Sequence, residues 1–154
     1  MPAQPHQSAI EMAVGFDMGL YTRDDVGAWV DVEVERCEAL VGPLLDLTTL
    51  NGKHDVDIEH LLFDLADRPS DNVRASVALG VLGEMVRRKQ LTSRDAICQA
   101  SRLAELISCS EYGAALSLED QYYLAVAGIH GTLDEVERDI VAFFDRYNPV
   151  GDEP

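Results

Sequence analysis

Signals for helix starts recur along this chain at short intervals, and they constrain its fold more than any other feature. Six times a serine or threonine precedes an apolar or amphipathic segment whose first turn also carries acidic residues. The hydroxyl of such a residue accepts a hydrogen bond from a free amide of the first turn, and acidic side chains there stabilise the positive end of the helix dipole. The six residues are Ser8, Thr22, Ser70, Thr92 or Ser93, Ser117 and Thr132. Asp25 after Thr22 and Glu135 after Thr132 predict capping boxes, the first with a shorter acidic side chain.

Hydrophobic periodicity agrees with these starts. One helical stripe is formed by Ala96, Ile97, Ala100, Leu103, Ala104 and Ile107, and another by Val136, Ile140, Phe143, Phe144 and Tyr147. The spacing predicts helices over residues 9–18, 23–40, 55–67, 71–89, 94–108, 118–130 and 133–147. The stretch YYLAVAGI (122–129) is apolar nearly all round, which favours a place in the middle of a bundle. The chain of 154 residues therefore predicts an all-α fold: one domain, 1–154, built as a bundle of six or seven helices, with stacked helical hairpins as one arrangement.

The segments between and beyond these helices are less regular. Residues 41–54 form the longest irregular stretch, and its leucines at 44, 45, 47 and 50 indicate packing on the domain, as a short strand or a helical turn. We expect the ends, residues 1–7 and 148–154, to be flexible. The stretches LYTRDDV (20–26) and QLTSRDA (90–96) resemble each other, either through duplication of a helical hairpin or, as we favour, through independent use of the same cap chemistry.

Charge is the most unusual property of the composition. The chain has 28 acidic and 12 basic residues, a net charge of −16. Residues 1–67 carry a net −11, residues 68–110 a net +3 and residues 111–154 a net −8. Phosphates would be repelled by such a protein, so nucleic acid is excluded as a direct partner, whereas basic proteins would be attracted. The basic residues Arg87, Arg88, Lys89 and Arg94 gather at one predicted helix end, where they either offset the helix dipole or bind an anion, and we favour the first role.

Two predicted helices carry an acidic face. On the helix over 23–40, Val26, Val30, Val34, Cys37 and Val41 point towards the core, while Asp24, Asp31, Glu35 and Glu38 share another face. On the helix over 55–67, Asp57, His60, Asp64 and Asp67 lie opposite Leu61, Leu62 and Leu65. Like charges four positions apart repel, so these faces slightly destabilise their helices. They are either solvated surfaces or one docking surface for a basic protein, with Trp29 or Tyr21 at its rim; burial of Trp29 at the core edge is the alternative.

Motifs of catalysis or cofactor binding are not present in the sequence. Neither a GxSxG elbow nor a phosphate-binding glycine loop occurs, and we expect no cofactor. His60, Asp64 and Asp57 could reach one metal ion, but the spacing matches no zinc signature and a hydrated acidic face explains it as well. Cys37, Cys98 and Cys109 form no CxxC pair and are expected to be reduced thiols packed as small hydrophobic residues. With neither a secretory signal nor a run of about eighteen apolar residues, the chain is expected to be cytoplasmic and independent of membranes.

Residues 19–50, GLYTRDDVGAWVDVEVERCEALVGPLLDLTTL, carry a resemblance to a known class of proteins. The matching residues are Thr22, Asp25, Trp29, Pro43, Leu45 and Leu47. With a capped helix, a central tryptophan, and then a proline and a leucine-rich turn, the segment resembles the opening of small acidic helical bacterial immunity proteins of polymorphic toxin and contact-dependent inhibition systems. The resemblance implies a non-enzymatic protein that neutralises one basic toxin. The alternatives are a structural or adaptor protein that forms a homodimer through an apolar patch and, third, a metal-dependent enzyme.

Overall fold

The computed structural model describes residues 8–40, 42–107 and 112–147, without the side chains of 104–107 and 112, and every regular element in these ranges is an α-helix. The helices are α1 (Ala9–Asp17), α2 (Arg23–Arg36), α3 (Gly42–Leu47), α4 (Asp55–Leu65), α5 (Asp71–Arg87), α6 (Ser93–Ile107), α7 (Tyr112–Val126) and α8 (Leu133–Asp145). The all-α prediction is confirmed. The helix beyond the expected six or seven is α3, which forms the helical turn that the leucine-rich connection allowed. None of the helices in the described ranges has the length and apolar character needed to cross a membrane.

The chain divides into two compact units, unit 1 (Met1–Ser70) and unit 2 (Asp71–Pro154). In unit 1, α4 packs against α1 and α3, and α3 also contacts α2. In unit 2, α5 and α7 each pack against both α6 and α8, and α6 also contacts α8. The second arrangement is a four-helix bundle with its apolar stripes turned inward. A single domain over the whole chain stays a prediction.

Each unit has its own apolar core. The core of unit 1 consists of Met12, Ala13, Val14, Val26, Trp29, Val30, Leu44, Leu47, Ile58, Leu62 and Phe63. The core of unit 2 contains Ala75, Ala78, Leu79, Val81, Leu82, Ala96, Ile97, Ala100, Ala115, Val136, Ile140, Phe143 and Phe144. The predicted stripe of α8 is buried as expected, except for the half-exposed Tyr147. The described part of the α6 stripe is also buried, except for the half-exposed Leu103. The side chains of Ala104 and Ile107 lie outside the described residues.

One turn geometry joins three of the helix pairs. The connections α1–α2, α5–α6 and α7–α8 each contain a residue with positive φ directly after the first helix: Gly19 (73°), Lys89 (58°) and Gly128 (69°). In each, the next two amides donate to one carbonyl of the helix just completed: that of Gly15, Met85 or Leu124. A threonine cap then opens the second helix. The third turn contains one additional residue, Gly131, and still has the same hydrogen bonds. Cap and turn chemistry is therefore sufficient to explain why residues 20–26 and 90–96 resemble each other.

Helix ends account for most differences from the predicted pattern. Helix α2 ends at Arg36, not at Leu40. Three glutamates near this end (Glu33, Glu35, Glu38) disfavour a longer helix, because their negative charge opposes the negative end of the helix dipole. The start predicted at Ser117 is wrong: α7 begins at Tyr112, and the Ser117 hydroxyl accepts a hydrogen bond from the Gln121 side chain instead of capping a helix (3.1 Å). The predicted flexible ends, residues 1–7 and 148–154, lie outside the described residues.

The expectation that YYLAVAGI lies in the middle of a bundle is also wrong. Because α7 begins six residues earlier than predicted, its buried side is set by Ala115, and the C-terminal part of the helix presents large apolar side chains to solvent. Tyr123 is 47% exposed, Val126 58% and Ile129 73%. The apolar character of this stretch therefore belongs to a surface.

Candidate functional site

The acidic side of α2 is held in place by a strong helix start. The Thr22 hydroxyl accepts a hydrogen bond from the Asp25 amide (3.2 Å), and the Asp25 carboxylate accepts one from the Thr22 amide (2.7 Å). This capping box was predicted from the sequence and fixes the rotation of the helix about its axis. Val26 and Val30 are buried, so Asp24, Asp31 and Glu35 face solvent. The acidic face of α2 is exposed as predicted over these three residues.

The acidic side of α4 has the same origin. His54 precedes the helix, and its amide donates to the Asp57 carboxylate (3.3 Å), so Asp57 caps the helix as well as contributing charge. Ile58, Leu62 and Phe63 are buried. Asp57, His60 and Asp64 are exposed, as the helical pattern predicted.

Arg23 connects the starts of the two acidic helices. Its Nε donates to Asp55 Oδ1 (2.7 Å), and its two terminal nitrogens donate to the carbonyl oxygens of Leu50 and Lys53. The beginnings of α2 and α4 are therefore neighbours, and Asp24 and Asp57 lie near this contact along their helices. The role of Arg23 was not predicted, although the sequence contains a signal for it: a cation in the first turn of a helix opposes the helix dipole and so requires another reason to be there.

The acids of this surface differ in how far their charge is already balanced. Asp64 forms an ion pair with Arg68, one helical turn away (2.6 Å). By contrast, no ion pair within the described ranges involves Asp24, Asp31 or Glu35. Asp31 and Glu35 are four positions apart and repel each other. Helix α2 thus carries three exposed carboxylates that form no ion pair in the described ranges, and we call Asp24, Asp31 and Glu35 the acidic stripe.

Two predicted members of the surface need correction. Trp29 is only 8% exposed and lies in the core of unit 1, so it is not a rim anchor; one position before Val30 on the helix, its large indole gains more from burial than from water. Glu38 is exposed but lies beyond the end of α2, off the helical face that it was expected to share. Cys37, expected in the core, is exposed for the same reason: its backbone is extended (ψ 132°). Val41 lies outside the described residues.

Tyr21, the other predicted rim residue, packs back onto its own hairpin. A Cβ atom added to Gly15 would fall 2.1 Å from the Tyr21 ring, so the ring lies directly over the glycine of α1. The side chain is half-buried there. Both aromatic residues near the acidic stripe therefore serve the packing of unit 1.

Two of the four residues in the basic cluster of unit 2, Arg87 and Arg88, are paired internally. Arg87 and Arg88 both bind the Glu84 carboxylate (3.0 and 2.7 Å), and Arg87 also reaches Asp145 on α8 (3.2 Å). Partial burial acts to raise the pKa of Glu84, but the hydrogen bonds and charges of the two arginines outweigh it and hold this pKa below its ordinary value. Arg87 thereby ties α5 to α8, which supports the structural interpretation over an anion site for this part of the cluster.

Groups suited to metal binding or nucleophilic chemistry are not brought together in the described part of the chain. No cluster of three histidine, cysteine or acidic side chains there could hold a metal ion. Burial raises the pKa of Cys98, whose sulfur lies 3.8 Å from the Tyr123 hydroxyl, so the group is a thiol and a poor nucleophile at neutral pH. Cys109 lies outside the described residues.

Comparison of the chain with protein-family models, curated proteins and solved structures finds no match.

Proposed function

We propose that this chain is a non-enzymatic protein-binding module that takes a basic protein on the acidic surface of unit 1, and that it acts as an immunity protein against a cationic toxin. The observation that carries the proposal is the acidic stripe of α2. Its three carboxylates are exposed and form no ion pair within the described ranges, although repulsion between Asp31 and Glu35 costs the helix stability. These charges destabilise the helix that carries them, and a basic partner that neutralises them would explain why they are present.

The contrast with unit 2 supports the same proposal. There, acids such as Glu84 and Asp145 are matched with arginines of the same unit, so their charge has a role within the fold. The stripe on α2 has no such role. A net charge of −16 would also steer a cationic protein towards this chain and raise the rate of association at low salt.

The contact of Arg23 with Asp55 adds a geometric reason. It sets the starts of α2 and α4 next to each other, which supports the proposal that carboxylates from both helices serve one partner. A partner can then meet charge from both elements at once, and such multiple contacts give specificity as well as rate.

The test is a pull-down from the native host, followed by calorimetry of the captured basic protein with charge-reversal variants. Glu35→Lys should weaken binding more than Asp64→Lys, because Asp64 is already neutralised by Arg68. Asp139→Lys, an exposed acid on α8, is the matched control and should leave the affinity unchanged. Unchanged affinity in both unit 1 variants would remove α2 and α4 from the interface.

A further inference from the structure

Unit 2 carries a patch of exposed apolar side chains that its own packing does not use. The patch lies on the last turn of α7 and on the connection to α8, and it consists of Tyr123, Leu124, Val126, Ile129 and Leu133. We call it the α7–α8 patch. Of the large apolar side chains that are exposed in the described residues, these five form the densest group along the chain. Apolar groups gathered in this way on a surface mark a site of interaction.

The turn keeps the backbone of these residues close together. The amide of Ile129 donates to the carbonyl of Leu124 (3.0 Å), which returns the chain over the end of α7. Leu133 is the first residue of α8, four positions after Ile129. The Tyr123 hydroxyl lies against the Cys98 sulfur, so this ring is tied to α6. The patch therefore sits on a fixed scaffold of three helices.

The same turn elsewhere in the chain shows that exposure of Ile129 is not a requirement of the backbone. The residue equivalent to Ile129, directly after the positive-φ residue, is Leu20 in the α1–α2 turn and Gln90 in the α5–α6 turn. Leu20 is half-buried, and Gln90 is polar. Only in the third turn does an apolar side chain stand 73% exposed. The turn geometry therefore does not explain the exposure of Ile129.

The charge around the patch restricts what can cover it. Residues 112–147 contain seven acidic residues and two arginines, and Asp120, Asp134 and Glu137 next to the patch are exposed. A second copy of the chain would bring like charges together, and nucleic acid or an anionic membrane would be repelled. A surface with an apolar centre and cationic edges would gain both from burial and from charge complementarity.

We infer that the α7–α8 patch is a docking site for a cationic amphipathic helix of a partner protein, with the apolar face of that helix on Tyr123, Val126 and Ile129 and its basic residues towards Asp120, Asp134 and Glu137. The apolar residues of such a helix would recur at helical spacing, and charge at the rim would strengthen the binding. The site lies within unit 2 and does not depend on the acidic stripe of unit 1.

The test uses the full chain and an amphipathic peptide of leucine and lysine with leucines at helical spacing. Two control peptides accompany it: one of the same composition in scrambled order, and one with glutamate in place of lysine. Chemical-shift changes in the NMR spectrum should concentrate in residues 120–134, and the controls should bind more weakly. Val126→Ser should weaken binding about five- to tenfold. The matched control is Val56→Ser, since Val56 on α4 is exposed to the same extent, 58%.

Three results would overturn the inference. Equal binding of the scrambled peptide would mean that charge alone attracts it. Shift changes confined to α2 and α4, or a larger loss with Val56→Ser than with Val126→Ser, would place the peptide on unit 1. Light scattering that shows a dimer of the wild-type chain and a monomer of Val126→Ser would make a second copy the occupant. None of these results counts against the acidic stripe, which is tested by the charge reversals on α2.

Discussion

The two units of this molecule build helical hairpins with the same turn but divide their side chains between core and surface in different ways. In unit 1 the aromatic residues near the turn are packed, Tyr21 over Gly15 and Trp29 in the core, while unpaired carboxylates face solvent. In unit 2 a paired charge cluster forms around Glu84, and apolar side chains such as Ile129 face solvent beside exposed acids such as Asp134. The comparison teaches that the turn determines the hairpin, whereas the side chains around it determine the kind of surface.

The largest expected effect concerns the burial of aromatic residues in unit 1. Trp29→Ala should lower the free energy of unfolding by about 3–5 kcal/mol, because it removes a large side chain from the core. Val32→Ala, an exposed position on the same helix, should change it by less than about 0.5 kcal/mol. Urea unfolding followed by far-ultraviolet circular dichroism measures both. A loss below about 1 kcal/mol for Trp29→Ala would mean that the indole is a surface group after all.

The next effect tests the close contact of helices in unit 2. Gly83 lies against α8, where an added Cβ atom would come within 2.9 Å of Phe144 Cβ and 3.3 Å of its carbonyl oxygen. Gly83→Ala should therefore destabilise the protein by about 1–2 kcal/mol, despite the better helix propensity of alanine. At Gly113 on α7 the space is open, so Gly113→Ala should be neutral or stabilising. Thermal unfolding of the two variants should shift in opposite directions, or at least differ by several degrees. Equal shifts would contradict the α5–α8 packing.

A smaller effect tests the internal pairing of charge in unit 2, and it depends on pH. The pKa of Glu84 is lowered in the folded state, so its contribution to stability is present above the ordinary value of 4.5 and is lost as the pH falls through the folded pKa. Glu84→Gln should cost up to about 1 kcal/mol at pH 7 and much less at low pH. Glu137→Gln, an exposed acid on α8, is the control and should show no loss at either pH. A cost of Glu84→Gln that does not change with pH would rule out ion pairing as its cause.

The smallest effect concerns the cost of the acidic stripe in unit 1. Glu35→Gln should raise the free energy of unfolding by a few tenths of a kcal/mol at low salt, since it removes the repulsion from Asp31 four residues away. Asp64→Asn should have the opposite sign, because it removes an ion pair with Arg68. Denaturant unfolding at two salt concentrations measures both changes, and added salt should reduce them. Destabilisation by Glu35→Gln would show that this carboxylate has a partner within the fold.

Most of the fold could be predicted from short-range sequence signals such as helix caps and hydrophobic spacing. The capping boxes at Thr22 and Thr132 were predicted from spacing alone and are present, because the chemistry of a helix start lies within four residues. The false start at Ser117 shows the limit of the same signal, since a serine followed by acids also occurs inside a helix. The exposure of Ile129 and Val126 was missed for a related reason: an apolar stretch has the same sequence whether it is buried or on the surface.

At the candidate site, the exposure of side chains was easier to predict from the sequence than the ion pairs between them. Asp24, Asp31 and Glu35 followed from the helical period, but the contact of Arg23 with Asp55 joins residues far apart in the chain and has no periodic signature. Trp29 was left between core and rim because neighbouring positions on a helix differ by only about 100°. Tertiary packing decided in favour of the core.

The most direct test of the account compares charge reversal on the two units in one binding experiment. Calorimetry would measure the affinity of the basic protein captured from the host for two double variants, Asp31→Lys/Glu35→Lys in unit 1 and Asp95→Lys/Asp139→Lys, two exposed acids of unit 2 outside the α7–α8 patch, at low and moderate salt. We expect the first variant to lose at least about tenfold in affinity and its affinity to depend less on salt than that of the wild-type chain. The affinity of the second variant should be nearly unchanged. An equal loss in both variants would contradict the account, since overall charge and not the acidic stripe would then attract the partner.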